Sequence, residues 1–548
     1  SVIKREEKSM KKVVLLLSVF LSTFSLFSRD FDYRDIPVQD GGRIKPLDTF
    51  ARNQLLSIYG KRSLKSEDVP AIDWLIDLLA DPHIGFKQKV FKLRNPEVVQ
   101  SLGLEWDNIH TYSYHEILDG LESQKELLIQ IHAKPVDELS IIEGQLKELH
   151  SNFQKFANMW WHLKLIPPAS DNPEDSWISP WEVESEQALS ENQRNLLFNF
   201  LEYLNKKLQN DTLGMDMAMS NYSNELNTNY SILVDSHRLK LETWYNEANM
   251  FYISLAFYIL AFLLLGFSWI TAPILLKKIA YFSLIIGFLI HGGGLCLRMY
   301  IMQRPPVTTL YESIIFVSFI ANLCAIILEY IRKDGLGIFI GSISGAIFHY
   351  IGFKYSVDGD TMGMLVAVLN SNFWLATHVT TITIGYGTSL MAGFMGHIYL
   401  GMAILYPERT GSLKEIYNNT FGITLMALFF SLFGTILGGI WADQSWGRFW
   451  GWDPKENGAM LICMWHLMMI HMRLSGMVKG PGFALGMVLN NIIVALAWFG
   501  VNLLSVGLHS YGFASGIAIN LGLFILFEFL FGIGAYFWAN SKQKIAIK

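Results

Sequence analysis

The sequence predicts an all-α polytopic membrane protein, with about ten transmembrane helices and one large, mainly helical extracytoplasmic domain. The composition is 51% hydrophobic and only 17% charged, whereas soluble proteins carry about 25% charged residues. The apolar residues also fall in long runs, and most of these runs follow Phe251. A lipid bilayer is therefore the first partner that the sequence implies, while a net charge of −5 gives no reason to expect nucleic acid.

The chain before Phe251 contains two different segments. Residues 1–28 combine five basic residues with an apolar run from Val13 to Phe27, which indicates a cytoplasmic segment and a transmembrane helix. This helix is either a signal-like anchor or the last helix of a longer protein. Residues 29–248 are polar, with apolar residues at helical spacing, and predict one mostly helical aqueous domain. Within that domain, Gly41 and Gly42 predict a turn and Leu47–Ile58 a helix.

Residues 249–548 predict the transmembrane domain. If the basic N-terminus is inside the cell, the polar domain is outside. The loops assigned to the inside then carry eleven Lys and Arg residues, against five on the opposite side, as the positive-inside rule requires. The three cysteines lie in apolar runs and predict no disulfide framework. The nine candidate spans are 251–271, 279–298, 309–330, 335–352, 379–405, 421–441, 456–474, 483–506 and 514–538.

Residues 441–456, in an outer loop of this topology, are unusually rich in tryptophan. A single tryptophan at this depth would indicate an aromatic belt at the membrane surface. Three tryptophans within seven residues, followed by a charged tetrapeptide, instead favour a platform for a flat, hydrophobic ligand. The residues concerned are Trp441, Trp446, Trp450 and Trp452, followed by Asp453, Pro454, Lys455 and Glu456.

Two histidines are predicted on the same face as this tryptophan stretch. His378 lies at the outer mouth of the fifth span, and His509 lies in the outer loop between the last two spans. Either histidine alone is more often an ordinary interfacial residue than a ligand. Together, beside an aromatic platform, they predict axial ligation of a haem iron. The propionates of that haem would need cations, and the basic residues available on this face are Arg298, Arg304, Arg448 and Lys455.

His471 is a further candidate, because ionisable residues within a span are often functional. It follows Glu456 by about 22 Å along a helix. Its position alone does not rank it above the other histidines of the spans, which are His291, His349, His397 and His466.

Several motifs resemble one known family. Residues 446–456 resemble the WWD signature of the haem-handling proteins. Within that family, residues 251–540 are most similar to the CcsA (ResC-like) part of the System II cytochrome c synthases, the CcsBA type. Residues 29–250 resemble the periplasmic domain of the same family, with 38–48 as the best local match. Further matching segments are 304–313, 372–379, 385–387 and 500–512.

This resemblance implies a holocytochrome c synthase (cytochrome c haem lyase) of the bacterial inner membrane. Such an enzyme exports haem b and attaches it through thioethers to the CXXCH motif of apocytochrome c at the periplasmic face. The resemblance makes His378 and His509 the external haem ligands, and it favours His471, two residues before Arg473, as an intramembrane haem ligand. A second intramembrane histidine is expected in a CcsB-like half, either upstream in a fusion or as a separate chain. The implied haem platform consists of Trp446, Trp450, Trp452 and Asp453.

Two alternatives remain at this point. One is a haem exporter or chaperone that presents haem without catalysing its attachment. The other is a haem-free membrane scaffold whose tryptophans are merely interfacial. The large outer domain favours a synthase that also binds apocytochrome.

Overall fold

The computed structural model describes residues 29–64, 69–106, 110–135, 138–183, 188–357, 359–365, 369–501 and 517–547. It is built almost wholly of helices, which confirms the predicted all-α polytopic membrane class. The chain divides into two compact units, Ser1–Ala248 and Asn249–Lys548. The predicted N-terminal span and His509 lie outside the described residues.

The first unit packs short helices around one apolar core, whose fully buried side chains include Phe50, Trp74 and Phe156. Short antiparallel strand pairs, β1–β2, β3–β4 and β5–β6, join these helices. The strands are β1 (Pro37–Asp40), β2 (Arg43–Pro46), β3 (Ser63–Leu64), β4 (Val69–Pro70), β5 (Phe91–Lys92) and β6 (Thr111–Tyr112). The helices are α1 (Leu47–Tyr59), α2 (Ala71–Ala80), α3 (Pro82–Gly85), α4 (Pro96–Ser101), α5 (Tyr114–Ser123), α6 (Lys125–Ala133), α7 (Ile141–Ala157), α8 (Met159–His162), α9 (Glu191–Leu208), α10 (Thr212–Asn229) and α11 (Ser236–Ala248).

The turn predicted at Gly41 and Gly42 joins β1 to β2. Both glycines adopt left-handed backbone angles, with φ of +60° and +80°, as a tight hairpin turn requires. Arg43 on β2 forms a bidentate ion pair with Glu242 on α11, with both N–O distances at 2.8 Å. This planar pairing fixes the hairpin against the helix. The helix predicted at 47–58 is confirmed as α1.

The second unit is a bundle of long helices. Eight helical segments of the described residues are long and apolar enough to cross a membrane. The segment predicted as a span at 456–474 also forms a helix, α19, but it is not one of the eight because histidines, Asn457 and Arg473 lower its hydropathy. The helices are α12 (Met250–Ser268), α13 (Pro273–Met302), α14 (Leu310–Arg332), α15 (Leu336–Tyr355), α16 (Asn372–Trp374), α17 (Thr380–Leu405), α18 (Thr410–Trp446), α19 (Pro454–Leu474), α20 (Gly480–Ala495) and α21 (Ile517–Ile547).

Two of these helices carry a π-helical turn. Leu375–Val379 links α16 to α17, and Leu496–Gly500 continues α20. Single π-turns within α-helices are frequent at functional sites, because the extra residue reorients the side chains around it. Both turns contribute residues to a cavity beside the junction of α18 and α19.

Candidate functional site

A cavity opens at the end of the second unit where α18 ends and α19 begins. Its volume is about 180 Å³, and it continues into open solvent. The wall is mainly apolar with a few polar groups, which is the usual form of a small-molecule site. Its aromatic side chains are Tyr386, Trp441, Trp446, Phe449, Trp450 and Trp498, and its ionisable side chains are His378, Lys455 and Glu456.

His378 reaches this wall from the first π-turn. Its Nδ1 lies 2.8 Å from the carbonyl oxygen of Gly434 on α18. Because a carbonyl can only accept, Nδ1 carries a proton, and in the neutral imidazole the lone pair is then on Nε2. The imidazole also meets Trp441, with ring centroids 5.8 Å apart and planes at 61°. Metal-binding histidines are oriented in this way, with the second nitrogen donating to a carbonyl or carboxylate.

Glycines of α18 allow this histidine to lie close to the helix. A Cβ atom on Gly438 would come within 2.5 Å of His378 Cε1 and within 3.1 Å of both ring nitrogens. One turn earlier, a Cβ atom on Gly434 would lie 2.8 Å from the backbone of Ile382 on α17. The missing side chains therefore let the two helices approach each other and leave room for the imidazole ring.

Trp498 reaches the cavity from the second π-turn and is 2% exposed. Its Nε1 donates to Ser313 Oγ at 3.0 Å, and its carbonyl accepts from Lys455 Nζ at 3.1 Å. Sequence reasoning missed Trp498, because a single tryptophan near a helix end is usually an interfacial residue. The family motif at 304–313 could have pointed to this part of the cavity, because Trp498 contacts it in the structure. Five residues of that motif line the same cavity: Val307, Thr308, Thr309, Leu310 and Ser313.

The tryptophan stretch is less of a loop than predicted. Its first six residues belong to α18, which ends at Trp446 and is followed by Gly447 with φ of +68°. Its last three belong to α19, so the loop consists of residues 447–453 alone. Trp446 and Trp450 line the cavity as expected. Trp452 is 69% exposed and does not line the cavity, and it meets Trp450 edge-on at 6.3 Å. The tryptophans that line the cavity are therefore Trp441, Trp446, Trp450 and Trp498.

The charged tetrapeptide after this loop is a helix cap. The carboxylate of Asp453 accepts from the Lys455 N–H at 2.8 Å, and Pro454 occupies the first helical position. The Glu456 carboxylate turns back to accept from the Gly451 N–H at 2.8 Å and the Asp453 N–H at 3.2 Å. This capping box starts α19 and holds the end of the loop at residues 447–453, called the tryptophan loop below, by hydrogen bonds. Asp453 thus acts on the loop structure, and its contact with a ligand stays a prediction.

We expect Asp453→Ala to lower the free energy of unfolding by about 1 kcal/mol, because the helix cap is lost. Asp453→Asn is the matched control, since asparagine caps helices as well as aspartate does. Thermal unfolding of the detergent-solubilised protein, followed by tryptophan fluorescence, measures both. An equal loss in Asp453→Asn would assign the effect to the charge instead of the cap.

His471 lies near the other end of α19, about 24 Å from Lys455 along the helix. Its ring is exposed, and Nδ1 donates to the Leu467 carbonyl at 2.7 Å. Three of the other histidines of the spans have no exposed surface: His291 pairs with Tyr258, His349 with Ser254, and His466 with Ser389. The structure therefore separates His471 from these buried histidines, and it does not bring His471 to the cavity of His378.

Residues 307–509 match the family described as Cytochrome C assembly protein. Over this region the chain is similar to the cytochrome c assembly proteins. It is 25% identical over 497 residues to Protein NrfI of Wolinella succinogenes, covering 86% of this chain and 53% of that protein. It is 30% identical over 220 residues to the cytochrome c biogenesis protein CcsA of Chlamydomonas reinhardtii, covering 38% of this chain and 61% of that protein.

The chain thus spans about half the length of NrfI. A solved structure, cytochrome c heme lyase CcmF, matches 54% of this chain and 53% of its own chain with a TM-score of 0.38 and 17% identity. The region shared with the assembly family, 307–509, includes His378, the tryptophan loop and both π-turns. The similarity to cytochrome c biogenesis proteins expected from the motifs is therefore confirmed.

Proposed function

We propose that this chain acts in cytochrome c biogenesis as a holocytochrome c synthase, which exports haem b and attaches it to apocytochrome c. The observation that carries the proposal is the oriented imidazole of His378 on the wall of an aromatic cavity. Imidazole is a preferred axial ligand of haem iron, and indole rings pack well against a flat macrocycle. Haem is here the substrate.

His509 is the proposed second axial ligand, as the family resemblance implies. It follows the π-turn of Trp498 along the chain, and it lies outside the described residues. Ligation by two histidines would hold the iron while the tryptophans orient the ring. The histidine of the CXXCH motif would then replace one of them when apocytochrome c arrives.

Attachment itself requires no nucleophile from this chain. Each cysteine thiol of the CXXCH motif adds across one haem vinyl group. The sulfur bonds to the inner vinyl carbon, the thiol hydrogen ends on the outer carbon, and no net oxidation occurs. Catalysis by holding thiols and vinyls at the right distance can contribute about 7–11 kcal/mol.

The exposed imidazole of His471 supports a second proposed haem position, within the membrane. A CcsB-like half, fused or separate, would bring the other histidine to this surface of α19. The charge bias of the loops, eleven basic residues against five, supports an orientation in which the tryptophan loop faces the periplasm. Haem would then move from the site of His471 to the site of His378.

Co-expression with apocytochrome c tests the proposed function. The full chain, with a CcsB-like half supplied where needed, is expressed together with a CXXCH apocytochrome and with an AXXAH control lacking both thiols. We expect covalent haem on the CXXCH substrate alone, detected by haem staining after denaturing electrophoresis. Haem bound to the purified chain without any covalent product would identify an exporter or chaperone instead. A purified chain without a Soret band would identify a haem-free scaffold.

A further inference from the structure

We infer that Lys455 binds a carboxylate of the ligand in the cavity, which for haem is one propionate. This inference rests on the proposed function, because haem combines an iron that imidazole can ligate with two anionic side chains. It goes beyond that function because it assigns one side chain that selects for haem with a free propionate. The same side chain fixes how the porphyrin is rotated within the cavity. Four basic residues are predicted on the same face as the tryptophan stretch, and they differ in their contacts.

Arg298 and Arg304 are engaged in holding the fold. Arg298 donates to Glu312 at 2.8 Å and to the Thr361 carbonyl at 2.6 Å. Arg304 donates to the Gly363 carbonyl at 2.7 Å and lies 3.5 Å from the same Glu312 carboxylate. All three charged side chains are buried. Neither arginine lines the cavity, so both act as anchors of the chain segments around it.

Arg448 also does not line the cavity, and it lies exposed on the tryptophan loop. Lys455 differs from the three arginines, because its side chain is partly buried and forms part of the cavity wall. It extends from the first turn of α19, where the partial positive charge of the helix also favours an anion. Lys455 is therefore the basic residue placed to meet a ligand beside His378.

The ammonium of Lys455 has hydrogen-bonding capacity beyond what its protein contacts use. It carries three donors, and among the described residues its acceptor is the Trp498 carbonyl, at 3.1 Å. The nearby carboxylates are already used by the helix cap, since Asp453 accepts from the Lys455 N–H and Glu456 accepts from two loop N–H groups. A cation in a mainly apolar cavity costs free energy, and the nearby charge of Asp453 offsets this cost only in part. A ligand carboxylate removes this cost.

The capping box also excludes the usual alternative at a helix N-terminus. Backbone N–H groups at such ends often bind anions, but here those of Gly451, Asp453 and Lys455 already donate to protein carboxylates. A carboxylate at this end of the cavity would thus be bound by the lysine side chain. The ligand class is a flat, metal-containing macrocycle with at least one free carboxylate.

Spectroscopic titration of the purified full chain with haem and with haem dimethyl ester tests the inference. The ester keeps the iron and the ring but has no free carboxylate. We expect wild-type protein to bind haem about tenfold more tightly than the ester, as for one charge-assisted hydrogen bond. Lys455→Met should lose this preference by weakening haem binding about tenfold while leaving ester binding unchanged. Lys455→Arg should keep the preference.

Lys354→Met is the matched control, because this lysine is exposed and lies over the Tyr350 ring at 5.6 Å. It should bind both rings as wild type does. Equal binding of haem and ester by wild type would overturn the inference without any variant, which covers the case that Lys455→Met does not fold. The inference would also be overturned if Lys455→Met bound haem and the ester more weakly by the same factor. Binding of neither ring by wild type would instead contradict the proposed function.

Discussion

His378→Ala is expected to lower the yield of covalently haem-loaded cytochrome by about tenfold or more, the usual scale for loss of metal-site groups. The imidazole is oriented by the Gly434 carbonyl, which accepts from Nδ1, and it lines the cavity. Without it, the iron loses one of its two proposed axial ligands. Haem staining of co-expressed apocytochrome measures the yield, and the Soret band of the purified chain reports ligation.

Thr377→Ala is the control for this variant. Thr377 lies in the same π-turn, its hydroxyl donates to the Phe373 carbonyl at 2.7 Å, and it does not line the cavity. Its replacement should leave yield and spectrum unchanged. Added imidazole should restore part of the activity of His378→Ala by filling the vacated position. An unchanged spectrum in His378→Ala would exclude His378 as a ligand.

Gly438→Ala is expected to disturb the site almost as strongly, although it adds only one methyl group. Its Cβ would come within 2.5 Å of the His378 ring, a distance that forces the ring to move. We expect a shifted Soret band and a yield of covalent cytochrome lowered about tenfold, because a small misplacement of a positioning group can cost that much or more.

Gly422→Ala on the same helix is the matched control, because a Cβ there meets nothing within 4 Å. It should retain wild-type haem binding and be slightly more stable, as alanine favours helices over glycine. Thermal unfolding of both variants separates a local effect on His378 from a general loss of fold. A wild-type Soret band and yield in Gly438→Ala would show that the position of the imidazole does not matter. That result would contradict the role proposed for His378.

Local sequence patterns predicted most of the helical framework. Apolar runs indicated the spans. In a bilayer the backbone has no water to bond to, so such a run must satisfy its hydrogen bonds internally, as a helix does. The glycine pair indicated the β1–β2 turn because it allows left-handed backbone angles. The tryptophan stretch indicated an aromatic surface, and Trp446 and Trp450 do line the cavity. Each of these properties depends on residues close together in the chain.

Other properties depend on groups brought together from distant helices. Asp453 was predicted to belong to the haem platform, and in the structure its carboxylate and that of Glu456 cap α19. Trp498 has no motif of its own, yet its carbonyl holds Lys455 and its indole joins the cavity. The tautomer of His378 is set by a carbonyl 56 residues away. A pattern along the chain reports which residues are apolar or flexible, whereas the partner of each polar group is chosen by the packing of α17, α18, α19 and α20 against one another.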